Sequence, residues 1–189
     1  LKKFIEENPT IGYELLKHII TETNKRLLES NKIITTNYEI EKQVKALTNI
    51  DRKSIFWLID KVKGIADVDY ILYVEKHQVM DNFFTLKYDS RQPNKMLDEV
   101  FERKWYFLDL DELFEKANIS KDDQIVINKL SIGNEIYGYL ILGREKRAFS
   151  GSDKKIFTSI ANSFVWVLKK FFTDKDDMNK IYISEMKKI

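Results

Sequence analysis

The chain has 189 residues and a net charge of +2, with 32 basic and 30 acidic residues interspersed along its length. Such an even mixture creates no field that would recruit nucleic acid or an anionic membrane. The sequence contains no cysteine and only two histidines, which excludes disulfides, thiolate chemistry and a histidine-rich metal site. We therefore predict no metal and no nucleic-acid partner.

Apolar runs are too short for a membrane-spanning helix, which needs about 20 residues, and no signal peptide is visible. We expect a cytoplasmic protein with no membrane partner. The chain begins at Leu1 rather than Met, so we expect it to be a piece of a longer protein. Its 12 Phe, 9 Tyr and 3 Trp residues are enough for a sizeable core.

The N-terminal segment predicts a long helix from about Ile11 to Ile34, with a break or kink at Thr35–Asn37. Apolar residues in it follow the 4-3-4-7 spacing of a coiled-coil seam. The seam consists of Leu16, Ile20, Thr23, Leu27 and Ile34. The pattern fits a parallel pair of helices and fits equally well a helix that packs on its own domain.

The next segment predicts a helix over Arg52–Lys63, capped near Asp51 and stopped by Gly64. Alternating apolar residues then predict strands at Asp69–Glu75 and Phe83–Tyr88, which form a hairpin.

Further along, Asn94–Lys104 has the spacing of a short helix, and Trp105–Leu108 reads as a third strand. A one- or two-turn helix follows and ends near Asn118. A fourth strand at Gln124–Leu130 then leads into a hairpin turn at Gly133–Asn134.

The last strand, Ile136–Gly143, is apolar almost throughout, as a strand covered on both faces should be. Ser150 and Asp153 resemble a capping box that opens a long apolar helix ending near Phe172. The polar residues Thr173–Asp177 then predict a break in this helix. This order of elements predicts an α+β fold, with an antiparallel sheet of about five strands and the terminal helices on one face.

Residues 37–173 resemble a GAF domain, whose pattern includes a "G-x-L-x-L" strand and an "F-S-x-x-D" helix start. The matching residues are Gly138, Leu140 and Leu142 in the strand and Phe149, Ser150 and Asp153 at the helix start. The cysteines of the bilin-binding and methionine sulfoxide reductase subtypes are absent. The resemblance therefore implies the fold without identifying a cofactor.

A shorter upstream segment resembles the end of a cyclic-nucleotide-binding domain of the catabolite-activator type. The matching residues are Phe4, Asn8, Pro9, Leu15 and Leu16. We therefore divide the chain into a linker helix at 1–36 that ends an upstream domain, a GAF-like domain at 37–173, and a tail or linker helix at 174–189.

GAF domains form a pocket between the sheet and the small helices, and the resemblance implies a pocket on the face away from the terminal helices. Its candidate ligand-binding residues are Tyr70, Leu72, Val74, Phe84, Trp105, Phe107 and Asn128. The alternative is that these large side chains fill the pocket. We find no nucleophile–base pair or phosphate loop, so we expect no catalytic residue and no enzyme activity.

The resemblance implies a regulatory domain that senses a small molecule, relays a signal, or does both. We expect a homodimer formed through the helix that carries Leu16, Ile20, Leu27 and Ile34. The alternative function is a ligand-free dimerisation or protein-interaction module.

Overall fold

The structure is a computed structural model. It describes residues 8–47, 50–77, 80, 82–95, 97–104, 107–108 and 110–186. Within these ranges, the side chains of residues 102–104, 107, 108, 110 and 175–186 are not described. The chain divides into two compact units, Leu1–Thr36 and Asn37–Ile189.

The described residues form helices and strands in the order that an α+β fold requires. These elements are α1 (Pro9–Ala46), α2 (Arg52–Ala66), β1 (Tyr70–Lys76), β2 (Phe83–Asp89), β3 (Glu99–Lys104), β4 (Phe107–Leu108), α3 (Leu110–Lys116), β5 (Gln124–Ile132), β6 (Glu135–Arg144) and α4 (Gly151–Met186). None of the described helices is both long and apolar enough to cross a membrane.

The strands form one antiparallel sheet in the order β4-β3-β2-β1-β6-β5. Strand β4 has only two residues, so five longer strands make up the body of the sheet. The predicted number is confirmed, but one of the five is β3, which was predicted as a helix. Strands β1 and β6 pair over six residue positions at the centre. Both are buried along almost their whole length, which explains why their sequences are continuously apolar.

Helices α2 and α4 cover one face of the sheet. Phe56 of α2 stacks on Tyr88 of β2 with ring centroids 4.7 Å apart. Phe164 of α4 meets Tyr73 of β1 edge to face at 5.9 Å. The shorter helix α3 lies at β3, and its Leu113 joins the cluster on the opposite face.

The start of α2 is capped as predicted, but its end lies further along the chain. The Asp51 carboxylate accepts a hydrogen bond from the Ser54 amide at 2.7 Å. The helix then passes through Gly64 and ends at Ala66, so the predicted stop at Gly64 is wrong. Asp67 takes the left-handed conformation, with φ of 51°, that glycine was expected to supply.

The start of α4 confirms the predicted capping box. The Ser150 amide donates to the Asp153 carboxylate at 2.9 Å, and the Asp153 amide donates back to the Ser150 hydroxyl at 3.1 Å. The helix continues to Met186, so the polar break predicted after Phe172 is wrong.

Two other predicted elements are also wrong. Helix α1 runs without a break through Thr35–Asn37, so of the predicted break or kink the break is wrong. The Asn37 side chain accepts a hydrogen bond from the Ser159 hydroxyl at 2.6 Å, so this polar residue supports helix packing instead of interrupting the helix. The helix predicted at Asn94–Lys104 is replaced by strand β3, in which Phe101 pairs with Phe84.

The turn at Gly133 is confirmed, and its φ of 58° is one that glycine adopts without strain. Gly138 has a different role. A Cβ atom at Gly138 would overlap the carbonyl oxygen of Val74 on the neighbouring strand. The glycine of the "G-x-L-x-L" strand is therefore needed because the backbones of β1 and β6 approach each other there.

Candidate functional site

The face of the sheet away from α2 and α4 carries a buried group of side chains that we call the apolar cluster. Its members are Tyr70, Leu72, Val74, Phe84, Leu86, Phe101, Leu113, Ala117, Ile119, Tyr139 and Ile141. Of the seven predicted ligand-binding residues, the structure brings four together here, and Tyr70, Leu72, Val74 and Phe84 are each at most 1% exposed. Ligand binding by these residues stays a prediction.

The register of β1 explains why these residues share a face. Tyr73 contacts Phe164 of α4, so the alternate residues Tyr70, Leu72 and Val74 point to the opposite side. These three residues thus lie on the face away from the terminal helices, which is the face predicted for them from the sequence.

The structure does not bring Asn128 to the apolar cluster. Asn128 pairs with Leu140, which in turn pairs with Tyr73, and residues that pair across antiparallel strands share a face. Asn128 therefore faces α4, while Ile127 packs against the cluster. Its Nδ2 atom is enclosed and has no hydrogen-bond partner among the residues that the structure describes.

Two predicted site residues cannot be placed. Trp105 lies outside the described residues, and Phe107 is described only as part of the backbone of β4.

Tyr70 is held on both sides of its ring. On one side the ring lies against the Cα of Gly143, its cross-strand partner, where a Cβ would overlap the ring atoms. On the other side the Arg91 guanidinium carbon lies 4.5 Å from the ring centroid. The Tyr70 hydroxyl donates to the Asp123 carboxylate at 2.9 Å. Burial and then this hydrogen bond raise the pKa of Tyr70 above its ordinary value, so the hydroxyl stays a hydrogen-bond donor into alkaline pH.

Arg91 is the centre of a polar network that the sequence did not reveal. Its Nε and Nη2 atoms donate to both oxygens of Asp89, which is 2% exposed. Nη2 and Nη1 also donate to the carbonyls of Ala117 at 2.6 Å and Asn118 at 3.2 Å. These bonds tie the end of β2 to the chain just beyond α3. No local sequence signal predicts them, because the partners lie 26 and 27 residues apart.

Aromatic side chains fill the middle of the apolar cluster. The rings of Phe84 and Tyr139 meet edge to face with centroids 5.1 Å apart, a favourable aromatic arrangement. Leu113 of α3, which is fully buried, closes this side. The described side chains of the cluster therefore pack on one another.

A surface cavity of about 530 Å³ lies at the end of the sheet next to Tyr70. Arg91 and Asp123, which both hold Tyr70, contribute to its lining. The other lining residues are Asn118, Ser120, Asp122, Glu145 and Lys146. The cavity is polar and carries side chains of both charges, so its chemistry differs from that of the apolar cluster.

A different surface is found in the first unit, where α1 exposes the predicted seam. Leu16, Ile20, Leu27 and Ile34 are between 42% and 65% exposed. In the described part of this unit, α1 has no second element on which it could pack. Four large apolar side chains in one stripe thus face solvent in the single chain.

The second unit has its own helical groove, with a volume of about 360 Å³, between the end of α1 and the middle of α4. Its lining residues are Glu41, Val44, Lys45, Ser159, Asn162, Ser163 and Trp166. Trp166 is 62% exposed, and the Nζ atom of Lys169 lies 5.4 Å from the centroid of its ring. A large aromatic side chain therefore stands at the edge of an uncovered groove.

Comparison with known proteins identifies the fold. No family-level sequence profile matches the chain, and no curated protein matches it either. Solved structures do match. The GAF domain of a phosphoenolpyruvate-protein phosphotransferase (ptsP) from Coxiella burnetii superposes with a TM-score of 0.58 at 10% identity, over 77% of this chain and 97% of that one.

Two further structures agree. The GAF domain of an Acinetobacter phosphoenolpyruvate-protein phosphotransferase has a TM-score of 0.55 at 10% identity, covering 74% of this chain and 94% of that one. A phycoerythrobilin-bound GAF domain from a cyanobacterial phytochrome has a TM-score of 0.54 at 11% identity, covering 77% and 99%. The fold of the chain is that of GAF domains, as its sequence resemblance implied.

Proposed function

We propose that this chain is a non-catalytic, GAF-type regulatory domain of a longer signalling protein, and that it relays a conformational signal through a homodimer of its terminal helices. The observation that carries the proposal is the exposed apolar stripe of α1. Signal relay in this form requires two relative positions of the paired helices and an input that stabilises one position more than the other.

The first argument for a dimer is energetic. An isolated helix is marginally stable in water, and most helices depend on burying an apolar face. Leu27 and Ile34 are 55% and 65% exposed in the single chain. Burying apolar surface contributes about 25 cal/mol per Å², so covering the whole stripe would stabilise α1 substantially.

The second argument concerns which molecule covers the apolar stripe of α1. The stripe repeats in heptads, and in a parallel pair the residues of such a seam meet their own counterparts. A second copy of this chain therefore fits the surface without any other partner. In the second unit, Trp166 and the groove beside Val44 offer a further apolar contact to that copy.

The packing of the apolar cluster supports relay without a ligand on that face. Phe84 and Tyr139 occupy its middle, and Tyr70 is fixed by contacts on both sides. The domain would then act as a dimerisation and relay module that transmits a change received from a neighbouring domain.

Small-molecule sensing is a second candidate function. It is supported by the cavity of about 530 Å³, because a polar molecule bound there would contact Arg91 and Asp123, the two groups that hold Tyr70. One structure of similar fold is bound to phycoerythrobilin. Native mass spectrometry of the purified chain tests this candidate by looking for a co-purified molecule.

The upstream neighbour we propose is a cyclic-nucleotide-binding domain. The support is the sequence resemblance at Phe4, Asn8, Pro9, Leu15 and Leu16. Asn8 and Pro9 begin the described chain at the start of α1, and Phe4 lies outside it. In this arrangement α1 would carry a signal from the upstream domain into the GAF-like domain.

Sedimentation velocity of three proteins tests the dimer. The first is the wild type. In Ile20→Glu a carboxylate is placed in the seam, and in His18→Glu the same residue is placed on the opposite side of α1, where it should face solvent. We expect the wild type and His18→Glu to sediment as dimers at micromolar concentration, and Ile20→Glu as a monomer. A monomeric wild type at high micromolar concentration, or a dimeric Ile20→Glu, would contradict the proposal.

A further inference from the structure

The end of β6 contains an almost fully buried arginine that joins two helices. Arg144 is 4% exposed. Its Nε atom donates to the Asp67 carbonyl at 2.7 Å, at the end of α2. Its Nη1 atom donates to the Asp153 carboxylate at 3.1 Å, in the first turn of α4. One side chain therefore fixes the end of one helix to the start of another.

Stacking adds to these hydrogen bonds. The guanidinium carbon of Arg144 lies 4.6 Å from the ring centroid of Phe149. Phe149 in turn meets Phe157 of α4 edge to face, with centroids 5.2 Å apart. The planar guanidinium thus holds α4 through its cap and through its second turn, which a lysine ammonium could not do at once.

The residues on both sides of Arg144 are also hydrogen-bonded to Asp69, directly before β1. The Asp69 amide donates to the Gly143 carbonyl, and the Glu145 amide donates to the Asp69 carboxylate, both at 2.9 Å. Gly143, directly before Arg144, lies under the ring of Tyr70. Contacts therefore run without a gap from Tyr70 on the sheet, through Gly143 and Arg144, to the capping residue Asp153 of α4.

We propose that Arg144 is a positioning residue that couples the location of the Tyr70 ring to the order of the first turn of α4. The inference rests on the proposed relay function and adds a route by which a change beside the apolar cluster reaches a terminal helix. The coupling works because α4 has no freedom to shift at its start while the guanidinium holds Asp153 and Asp67 together.

Arg147 is a natural control for this role. It also pairs with Asp67, donating to both carboxylate oxygens at 3.2 Å. It is largely exposed, and its hydrogen bonds in the described structure reach only Asp67. Arg147→Lys therefore keeps the charge, removes the paired hydrogen bonds to the same acceptor, and leaves the hydrogen bonds that cap α4 in place.

Hydrogen exchange measured by mass spectrometry tests the coupling through a double-mutant cycle. The readout is the exchange rate of the amides of residues 154–158, which close the first turn of α4. The perturbation is Tyr70→Leu, which removes the ring from Gly143, and Tyr70→Met, which also lacks the ring but fills more of its space, is the substitute if the first variant does not fold. Each is made in the wild type, in Arg144→Lys and in Arg147→Lys.

We expect the perturbation at Tyr70 to raise these exchange rates about tenfold in the wild type and in Arg147→Lys, because a charge-assisted bond at the cap is weakened. In Arg144→Lys the rates should already be raised, and the Tyr70 substitution should add little. Equal fold-changes in all three backgrounds, or no change in the wild type, would overturn the inference, because independent sites give additive effects.

The test of the coupling and the test of the proposed dimer can fail independently. Sedimentation of Ile20→Glu reports on the seam in the first unit, whereas the exchange rates report on contacts within the second unit. A monomeric chain with intact coupling would contradict the relay function alone. A dimeric chain with additive effects would contradict the coupling alone.

Discussion

The ring of Tyr70 in β1 lies against the backbone of Gly143 in β6, and the two residues are partners in the antiparallel pairing of these strands. The absence of a side chain at Gly143 lets the aromatic ring cross the neighbouring strand, and Arg91 covers the other side of the ring at 4.5 Å. A residue predicted to line a ligand pocket is therefore packed as part of the core.

This packing predicts the effect of Gly143→Ala. The new Cβ must displace the Tyr70 ring, which is 1% exposed and hydrogen-bonded to Asp123. We expect a loss of about 1–3 kcal/mol in the free energy of unfolding, the usual cost of overpacking a core. Urea unfolding at a fixed protein concentration measures it, and an unchanged midpoint would show that the ring is free to move aside.

Two other glycines provide controls with different expected outcomes. Gly138→Ala should destabilise the chain more than Gly143→Ala, because the new Cβ would meet the Val74 carbonyl in the backbone instead of a side chain. Gly64→Ala should stabilise it by about 0.5–1 kcal/mol, because glycine is unfavourable inside a helix. Gly64 has open space around its Cβ position. Equal changes in the free energy of unfolding for all three variants would contradict this account.

The capping box of α4 predicts a pH dependence. Burial alone would raise the pKa of Asp153, but hydrogen bonds from Ser150 and the nearby Arg144 outweigh it and hold the pKa below its ordinary value. The unfolded chain therefore binds this proton more tightly. The stabilisation is fully present above the unfolded pKa of about 4, and it is lost as the pH falls through the lowered folded pKa.

Asp153→Asn should accordingly lower the free energy of unfolding by about 1–2 kcal/mol at neutral pH. The difference from wild type should shrink as the pH falls below about 4, since the wild-type carboxylate then becomes protonated. Asp174→Asn, an exposed substitution on the same helix, is the control and should have little effect. A difference that is undiminished at about pH 2.5 would contradict the assignment of the effect to this carboxylate.

Trp166 predicts a contribution to the dimer from the second unit. A tryptophan that is 62% exposed should contribute little to the stability of a single chain. If the groove beside it is covered by a second copy, Trp166→Ala should raise the dimer dissociation constant about tenfold, as expected for a buried aromatic anchor. Trp57→Ala, at a 40% exposed tryptophan on α2, is the matched control. Sedimentation equilibrium measures both, and equal effects would remove the groove from the interface.

Periodicity predicted most of the fold because it reports which face of an element is buried. The alternation in β1 places Tyr70 and Tyr73 on opposite faces, and the Ser150–Asp153 spacing marks the start of α4. Both signals are local, so the sequence alone contains them.

Periodicity failed where tertiary pairing decided the structure. The spacing of Leu97, Val100 and Phe101 also fits a helix, but β3 forms because Phe101 pairs with Phe84 at the edge of the sheet. The network around Arg91 was missed for a related reason. Its partners at Ala117 and Asn118 become neighbours only after the chain has folded.

The central claim, that two copies pair through α1, is tested most directly by cross-linking, because the chain contains no cysteine. In a parallel pair, Leu27 lies opposite its counterpart, within the Cα separation of about 4.4–6.8 Å that a disulfide requires. Lys25 lies on the outer side of the helix. Under mild oxidation we expect Leu27→Cys to form a covalent dimer of twice 22.5 kDa, and Lys25→Cys to stay monomeric on a denaturing gel. No covalent dimer for Leu27→Cys, or equal yields for both variants, would contradict the pairing.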